Sequence, residues 1–225
     1  MTIMCEPPPE ISEREFKEKL IAHIRDSFNN DFSESINPQI FQIKDEILFC
    51  HEEADKFESN LSEFRSSGKR EPNEVESKIL MDQTEFLYDA YIREQKLRAL
   101  AEMKIIFLYK NLEITLKKFL EIAYSMDEAK ELFNWDDIKN SFKAKNVYLS
   151  EFEEYDDIIE LKQVSNNLKH SEKIHENVKS LSEFKSKSIF EFQDLENFYS
   201  RIEMNVFSFI FSLSDKLLQN VASGT

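Results

Sequence analysis

The chain has 225 residues, a formal net charge of −15 at pH 7 and only two glycines, Gly68 and Gly224. This length accommodates one large domain or a domain with an appendage, and so few glycines exclude dinucleotide-binding fingerprints, Walker A loops and G-x-S-x-G nucleophile elbows. The acidic balance repels nucleic acid on average, and residues 73–223 contain neither glycine nor proline, so the composition predicts an all-α protein.

The N-terminus predicts a leader followed by a helix. Residues 1–10 lack the basic and apolar segments of a signal peptide, and we expect them to form a flexible leader. The pattern Ser12-x-x-Glu15 is a capping box, which starts a helix. Asn37-Pro38 is expected to end this helix, because the residue before a proline disfavours the helical conformation.

A second helix is predicted over about 39–66. Its apolar residues alternate in steps of three and four, the heptad pattern of a helix that packs along a partner helix. They are Ile40, Ile43, Ile47, Cys50, Ala54, Phe57, Leu61 and Phe64. We therefore expect residues 11–72 to form an N-terminal helical hairpin that ends in a linker around Gly68.

A long helix is predicted over about 74–124, with a break near Asp82 left open. Three rows of residues recur every eleven positions, close to the period of an untwisted helix. The rows are Phe86, Leu97, Leu108 and Phe119; Ala90, Ala101, Leu112 and Ala123; and Glu94, Ile105 and Leu116. Beyond Leu97, apolar residues also occupy the other faces of this helix. We therefore expect its second half to be central in the protein and its first half to be more exposed to solvent.

Shorter helices are predicted in the remaining sequence. Ser125-x-x-Glu128 predicts one short helix, and Asn134-Trp135-Asp136-Asp137 starts another that ends near Asn146. Ser150-x-x-Glu153 is a third capping box, which is expected to open a helix reaching about His170. Residues 171–190 are polar and without a clear pattern, and the last helix is predicted over about 194–219.

The helix that ends near His170 carries the most informative side chains. Lys162, Asn166 and His170 are spaced by four and share an outer face, which Lys169 and Lys173 flank. An imidazole can transfer a proton near neutral pH, and amides and ammonium groups can hold a phosphate. The alternative is structural, because a histidine near a helix C-terminus interacts favourably with the helix dipole. Residues 160–190 contain six lysines and four glutamates, so this is where any polyanion site should be sought, although such a composition is more often just a solvated face.

The order of features over about 98–219 resembles the HEPN superfamily of α-helical domains. The features are Leu112-Glu113-Ile114-Thr115-Leu116 in a long helix, Trp135-Asp136-Asp137-Ile138, Tyr155-x-x-Ile158-x-x-Leu161, the Asn-Asn-x-x-His run at Asn166, Asn167 and His170, and a long closing helix. The resemblance implies a HEPN-like helical bundle over 73–220. It also implies a prokaryotic stress, toxin–antitoxin or phage-defence protein, which forms a homodimer and acts on RNA.

The resemblance also implies roles for individual residues, without a metal or another cofactor. His170 would act as general base or acid in the attack of a ribose 2′-OH on the adjacent phosphate, and Asn166 would orient the reacting groups. Lys162, Asn167, Lys169 and Lys173 would contact the substrate, with Lys162 or Lys169 stabilising developing charge.

The chain departs from the family pattern at one catalytic residue. Active members carry an arginine that is separated from the histidine by four to six intervening residues, and the corresponding positions here are Gln163, Val164 and Ser165. Lys162 is the nearest cation, and an ammonium group lacks the planar, bidentate geometry of a guanidinium. Two functions therefore stay open: a metal-independent ribonuclease or its catalytically degenerate descendant, and a non-catalytic α-helical module for dimerisation or protein interaction.

Other sites and compartments are less favoured by the sequence. Cys5 and Cys50 are too few for a disulfide framework or a zinc ribbon, and Glu172-x-x-His175 supplies only part of a di-iron ligand set. The densest apolar stretch, over 206–213, is too short to span a membrane. We expect a cytoplasmic protein that does not engage membranes or DNA.

Overall fold

The computed structural model describes residues 12–28, 31–66, 73–126, 129, 131–132 and 134–223. Throughout this part the protein is helical, which confirms the all-α prediction, and its extended pairing is limited to a single bridge between Lys173 and Ile189. The helices are α1 (Glu13–Asp26), α2 (Asp31–Ser66), α3 (Asn73–Tyr124), α4 (Trp135–Ala144), α5 (Tyr155–His170), α6 (Glu176–Lys179) and α7 (Phe192–Ser223), with short 3₁₀ turns at Leu149–Glu151 and Ser182–Phe184.

The chain divides into two compact units, each assembled from discontinuous segments. The first unit contains Met1–Asn29, Leu108–Val164 and Ser200–Thr225, and the second contains Asn30–Phe107 and Ser165–Tyr199. The two helices predicted within 11–72 are therefore distributed between the units, with α1 in the first and α2 in the second.

Ser12 caps the first helix as predicted, but this helix ends earlier than expected. The Ser12 hydroxyl accepts a hydrogen bond from the Glu15 amide at 3.2 Å, and α1 stops at Asp26. The prediction that Asn37-Pro38 ends a helix is wrong, because α2 begins at Asp31 and continues through Pro38. Ile36 and Ile40, on either side of the proline, are buried in an apolar cluster with Leu97 that holds the helix together.

The heptad seam of α2 packs against α3. All of its predicted residues between Ile40 and Phe64 are buried or half-buried. Phe57 stacks on Phe86 with ring centroids 5.8 Å apart, and Arg93 Nε donates to Glu46 at 3.0 Å. Phe57 comes after Glu46 in α2, whereas its partner Phe86 comes before Arg93 in α3, so the two helices run antiparallel.

The long helix predicted over about 74–124 is confirmed. α3 is continuous from Asn73 to Tyr124, so the break left open near Asp82 does not occur. The eleven-residue rows are buried except for Phe86, which is half-buried, and Glu94, which is exposed. A stripe of this period keeps one face of a straight helix inside over many turns.

Two predictions in the C-terminal half have different outcomes. Asn134 caps α4 as predicted, since its side chain accepts from the Asp137 amide at 2.9 Å. The prediction that Ser150 opens α5 is wrong: Phe152 is extended, with ψ of 140°, and α5 begins at Tyr155. Phe152 packs edge-on against Phe209 with ring centroids 5.5 Å apart, and this contact explains the delayed start.

The remaining predictions concern the segments on either side of α4 and α5. Ser125-x-x-Glu128 includes residues outside the described part of the chain. The segment 171–190 forms α6 and a 3₁₀ turn, and its Phe184 is buried against Phe190 with ring centroids 5.2 Å apart. The last helix, α7, extends beyond the predicted 194–219 at both ends.

Candidate functional site

The last turn of α5 presents the two residues predicted to be catalytic. Asn166 and His170 are both exposed, and their spacing of four places them on one face of the helix. Neither side chain hydrogen bonds to another group within the described part of the chain. We call this surface the α5-end face, and define it by Asn166, Lys169, His170 and Lys173, which all belong to the second unit.

Asn167 lies behind this face and is part of the folded interior. It is 2% exposed, its Nδ2 donates to the Lys173 carbonyl at 2.9 Å, and its Oδ1 accepts from the His175 amide at 2.7 Å. Both ends of the amide are therefore occupied by backbone groups of the loop after α5. Asn167 therefore stabilises the loop beneath the α5-end face and is not itself part of that face.

The loop after α5 is fixed by further hydrogen bonds. The Ser171 hydroxyl accepts from the Lys173 amide at 3.1 Å and donates to the Lys173 carbonyl at 2.9 Å. The Ile174 amide donates to the Ser188 carbonyl at 3.1 Å, which ties the loop to the segment before α7. The backbone that carries Lys173 is thus held at both ends.

The predicted lysines differ in their environments. Lys169 and Lys173 are exposed in the second unit. Lys162 belongs to the first unit, where it is half-buried and its Nζ lies 6.0 Å from the centroid of the Trp135 ring. This cation–π contact gives Lys162 a packing role within its own unit.

Part of the local positive charge is neutralised within the fold. Lys179 pairs with Glu176 at 2.6 Å, and Lys187 pairs with both Glu191 at 2.8 Å and Asp194 at 3.1 Å. These carboxylates raise the pKa of Lys187 through hydrogen bonds and Coulomb attraction. The number of lysines in 160–190 therefore overstates the positive charge available to a polyanion. The sequence contains a signal for these ion pairs, because Lys179 and Glu176 are three residues apart and Lys187 and Glu191 are four apart.

The positions at which a family arginine would stand are largely inaccessible. Val164 and Ser165 are fully buried, and Gln163 is half-buried. The Ser165 hydroxyl has no hydrogen-bond partner among the described residues. A guanidinium at 164 or 165 would have to be buried, so α5 offers at most position 163 for such a group.

Other kinds of site and similarities to known proteins add no further candidate. Among the described residues no group of three or more His, Cys, Asp or Glu side chains could hold a metal ion. No helix in the same part of the chain is long and apolar enough to cross a membrane. No family model matches the chain, and neither a curated protein nor a solved structure matches it.

Proposed function

We propose that the chain is a HEPN-like domain protein of prokaryotic stress or phage-defence type and that its α5-end face acts on RNA without a metal. The observation that carries this proposal is the exposure of Asn166 and His170 on one face, with the loop beneath them fixed by the buried Asn167. A proton-transfer group needs access to substrate and a rigid support, and His170 has both.

In this proposal His170 transfers a proton during cleavage of the RNA backbone. It removes the proton of a ribose 2′-OH, whose oxygen attacks the adjacent phosphorus. The bond from phosphorus to the 5′-oxygen breaks, and this oxygen takes up a proton from water as it leaves. The products are a 2′,3′-cyclic phosphate and a 5′-hydroxyl. The Asn166 amide orients the phosphate, and Lys169 and Lys173 stabilise its developing negative charge.

The absent arginine sets an expectation for the rate. Ammonium groups act as point charges and do not reproduce bidentate binding of a phosphate by a guanidinium. We therefore expect slow cleavage, and a degenerate descendant would bind RNA at the α5-end face without cleaving it.

The test is an RNA-cleavage assay in EDTA with wild type, His170→Ala and His175→Ala in parallel. His175 is the matched control, because it is an exposed histidine only five residues away and its side chain makes no capping hydrogen bond. We expect His170→Ala to lose about 100-fold or more of the activity, the usual contribution of a general acid or base, and His175→Ala to retain it. Equal cleavage by wild type and His170→Ala would contradict catalysis by His170.

RNA binding distinguishes the degenerate form from a protein that does not act on RNA. Lys173→Glu is expected to weaken binding of a single-stranded RNA, whereas Lys185→Glu, at an exposed lysine outside the α5-end face, should leave it largely unchanged. A wild type that neither cleaves nor binds RNA contradicts the proposed function. It would favour the second candidate, a non-catalytic interaction module, which the exposed apolar side chains of α2 and α3 support.

A further inference from the structure

A cavity of about 340 Å³ lies between α4 and the segment that follows it, within the first unit. Its polar lining consists of Lys139, Asn140 and Lys143 on α4, and of Tyr148, Ser150 and Tyr155 after it. Small-molecule sites in proteins occupy about 300–1,000 Å³, so this cavity has room for one small ligand. We call it the α4 cavity.

The turn that ends α4 builds one side of the cavity. The Val147 amide donates to the Phe142 carbonyl at 3.0 Å, and the Asn146 amide donates to the Lys143 carbonyl at 3.0 Å, which are the paired bonds of a Schellman motif. Asn146 supplies the left-handed conformation that this motif requires, with φ of 57°. The chain therefore reverses direction, and residues 148–150 lie beside α4.

Alternating burial holds the returning segment in place. Val147 and Leu149 are each 1% exposed, whereas Tyr148 and Ser150 are exposed. The Glu151 amide donates to the Tyr148 carbonyl at 3.0 Å and closes a 3₁₀ turn. The backbone is thus fixed by buried side chains while the polar side chains line the cavity, and a preorganised site of this kind loses little conformational entropy when it binds a ligand.

The lining of the α4 cavity is basic, although the chain as a whole is acidic. Residues 139–150 contain three lysines and no aspartate or glutamate. Lys139 and Lys143 are spaced by four on α4, and like charges at this spacing destabilise a helix. Within the described residues Lys143 makes no ion pair, and Lys139 pairs only with Asp136, which is 3.6 Å away and 73% exposed. An anion that binds beside both ammonium groups would offset their repulsion.

The remaining polar groups of the cavity can all donate hydrogen bonds. They are the Asn140 amide and the hydroxyls of Tyr148, Ser150 and Tyr155, none of which bonds to another group in the part of the chain that the structure describes. A phosphate monoester carries close to two negative charges at pH 7 and three strong acceptor oxygens. It therefore matches two ammonium groups and several donors better than a carboxylate, which has one charge and two oxygens.

The α4 cavity is larger than a phosphate group alone requires. Its volume corresponds to about eleven water molecules, at about 30 Å³ for each, whereas a phosphate group has one phosphorus and four oxygens. Tyr148 is 42% exposed, so its ring can pack against the rest of a ligand. The Tyr155 ring is held in position by Trp135, with ring centroids 6.5 Å apart.

We propose that the α4 cavity binds a small phosphate monoester, with Lys139 and Lys143 on the phosphate and Tyr148 against the organic part. The lysine pair, the lining without carboxylates and the volume support this class of ligand. The α4 cavity belongs to the first unit and shares no residue with the α5-end face, which belongs to the second. Binding in this cavity therefore does not depend on any action on RNA.

The first test is isothermal titration calorimetry of the full chain with a sugar phosphate and a nucleoside monophosphate, ribose 5-phosphate and adenosine 5′-monophosphate. We expect at least one of them to bind, and ribose and adenosine to bind at least about tenfold more weakly, since a hydrogen bond to a charged group contributes about tenfold or more in affinity. An adenosine that binds as tightly as its phosphate would overturn the proposal. So would the absence of any ester binding with a Kd below about 1 mM, including the case in which only a single-stranded RNA binds.

Two lysine variants locate the binding site. Lys143→Ala should raise the Kd for the ester about tenfold or more, because it removes one ammonium group from the phosphate. Lys118→Ala is the matched control, because Lys118 is an exposed lysine of the same unit that does not line the cavity, and it should bind as wild type does. Circular dichroism first establishes that both variants are folded. Equal affinities of Lys143→Ala and wild type would place the ligand elsewhere and contradict the proposal.

Two tyrosine variants test the contact with the organic part. Tyr148→Ala should weaken binding of the ester several-fold and leave binding of inorganic phosphate unchanged, because only the ester reaches the ring. Tyr148→Phe keeps the ring and should bind the ester nearly as wild type does. If inorganic phosphate binds wild type as tightly as the esters do, or if Tyr148→Ala binds the esters unchanged, the cavity does not recognise an ester.

Discussion

At the scale of single residues, two neighbouring asparagines show how the same side chain takes different roles at different positions on a helix. Successive residues of a helix point about 100° apart, so Asn166 faces outward at the end of α5 while Asn167 is buried beneath it. The buried amide bonds two backbone groups of the following loop. The exposed amide of Asn166 is accessible to a ligand. We therefore expect substitution of Asn167 to affect stability and substitution of Asn166 to affect function.

We expect Asn167→Ala to lower the free energy of unfolding by roughly 2–4 kcal/mol, since it removes buried hydrogen bonds and leaves their backbone partners unsatisfied. The measurement is urea denaturation followed by circular dichroism. Asn166→Ala is the control and should change the same quantity by no more than about 0.5 kcal/mol. Similar losses in both variants would contradict the supporting role of Asn167.

An ion pair between a buried lysine and a half-buried glutamate in the second unit leads to a second prediction at this scale. Lys104 is 4% exposed, its Nζ donates to Glu196 at 2.8 Å, and it lies 4.2 Å from the centroid of the Tyr199 ring. Lys104→Met should lower the free energy of unfolding by roughly 1–3 kcal/mol, because it leaves the half-buried carboxylate of Glu196 without its partner. The double variant Lys104→Met/Glu196→Leu should recover most of this loss in the same urea experiment. Additive losses would mean that the two groups are not coupled.

At the scale of helices, hydrophobic periodicity predicted most of the architecture. The eleven-residue rows predicted the buried stripe of α3, and the heptad residues predicted the seam of α2, because both patterns repeat over many turns. The start and end signals were less reliable. The helix start predicted at Ser150 and the helix end predicted at Asn37-Pro38 were wrong. The contacts of Phe152 with Phe209, and of Ile36 and Ile40 with Leu97, are tertiary and cannot be read from the local sequence.

The proline inside α2 leads to a prediction for that helix. Pro38 cannot donate the hydrogen bond that an interior residue gives to the carbonyl four positions earlier. Because it is exposed, Pro38→Ala should restore this bond without disturbing the buried neighbours and should stabilise the protein by roughly 1–3 kcal/mol. Thermal unfolding checks this, with Gln39→Ala as a neighbouring exposed control that should shift the midpoint much less. An unchanged or lower midpoint for Pro38→Ala would contradict it.

The candidate site was predictable from sequence only in part, because local spacing fixes a helix face but does not fix tertiary packing. The four-residue spacing of Asn166 and His170 fixes a shared helix face, and both are exposed as expected. The burial of Asn167 depends on a loop whose path no local pattern specifies. Lys162 likewise owes its position near the Trp135 ring to packing between α4 and α5, which no local pattern specifies.

At the scale of the whole molecule, the dominant feature is the excess of negative charge. The formal net charge is −15, although residues 160–190 contribute a local excess of two lysines over glutamates. A net charge this far from zero destabilises the compact state through self-repulsion. Individual exposed ion pairs contribute only about 0–1 kcal/mol each, and they are weakened by the same salt that screens the repulsion. Which effect is larger can be measured.

We expect the repulsion to be larger, so that raising KCl stabilises the fold at pH 7. The Debye length falls from about 30 Å at 0.01 M salt to about 10 Å at 0.1 M. Over this range screening removes repulsion between distant carboxylates while close ion pairs are affected less. For a chain of this size 1 kcal/mol corresponds to roughly 2–4 °C, and we expect the thermal midpoint to rise by a few degrees at fixed protein concentration. At pH 4.8, the isoelectric point of the sequence, the same salt step should change the midpoint little, because the net repulsion is then absent. A midpoint that falls with salt at pH 7 would show that the ion pairs outweigh the net charge.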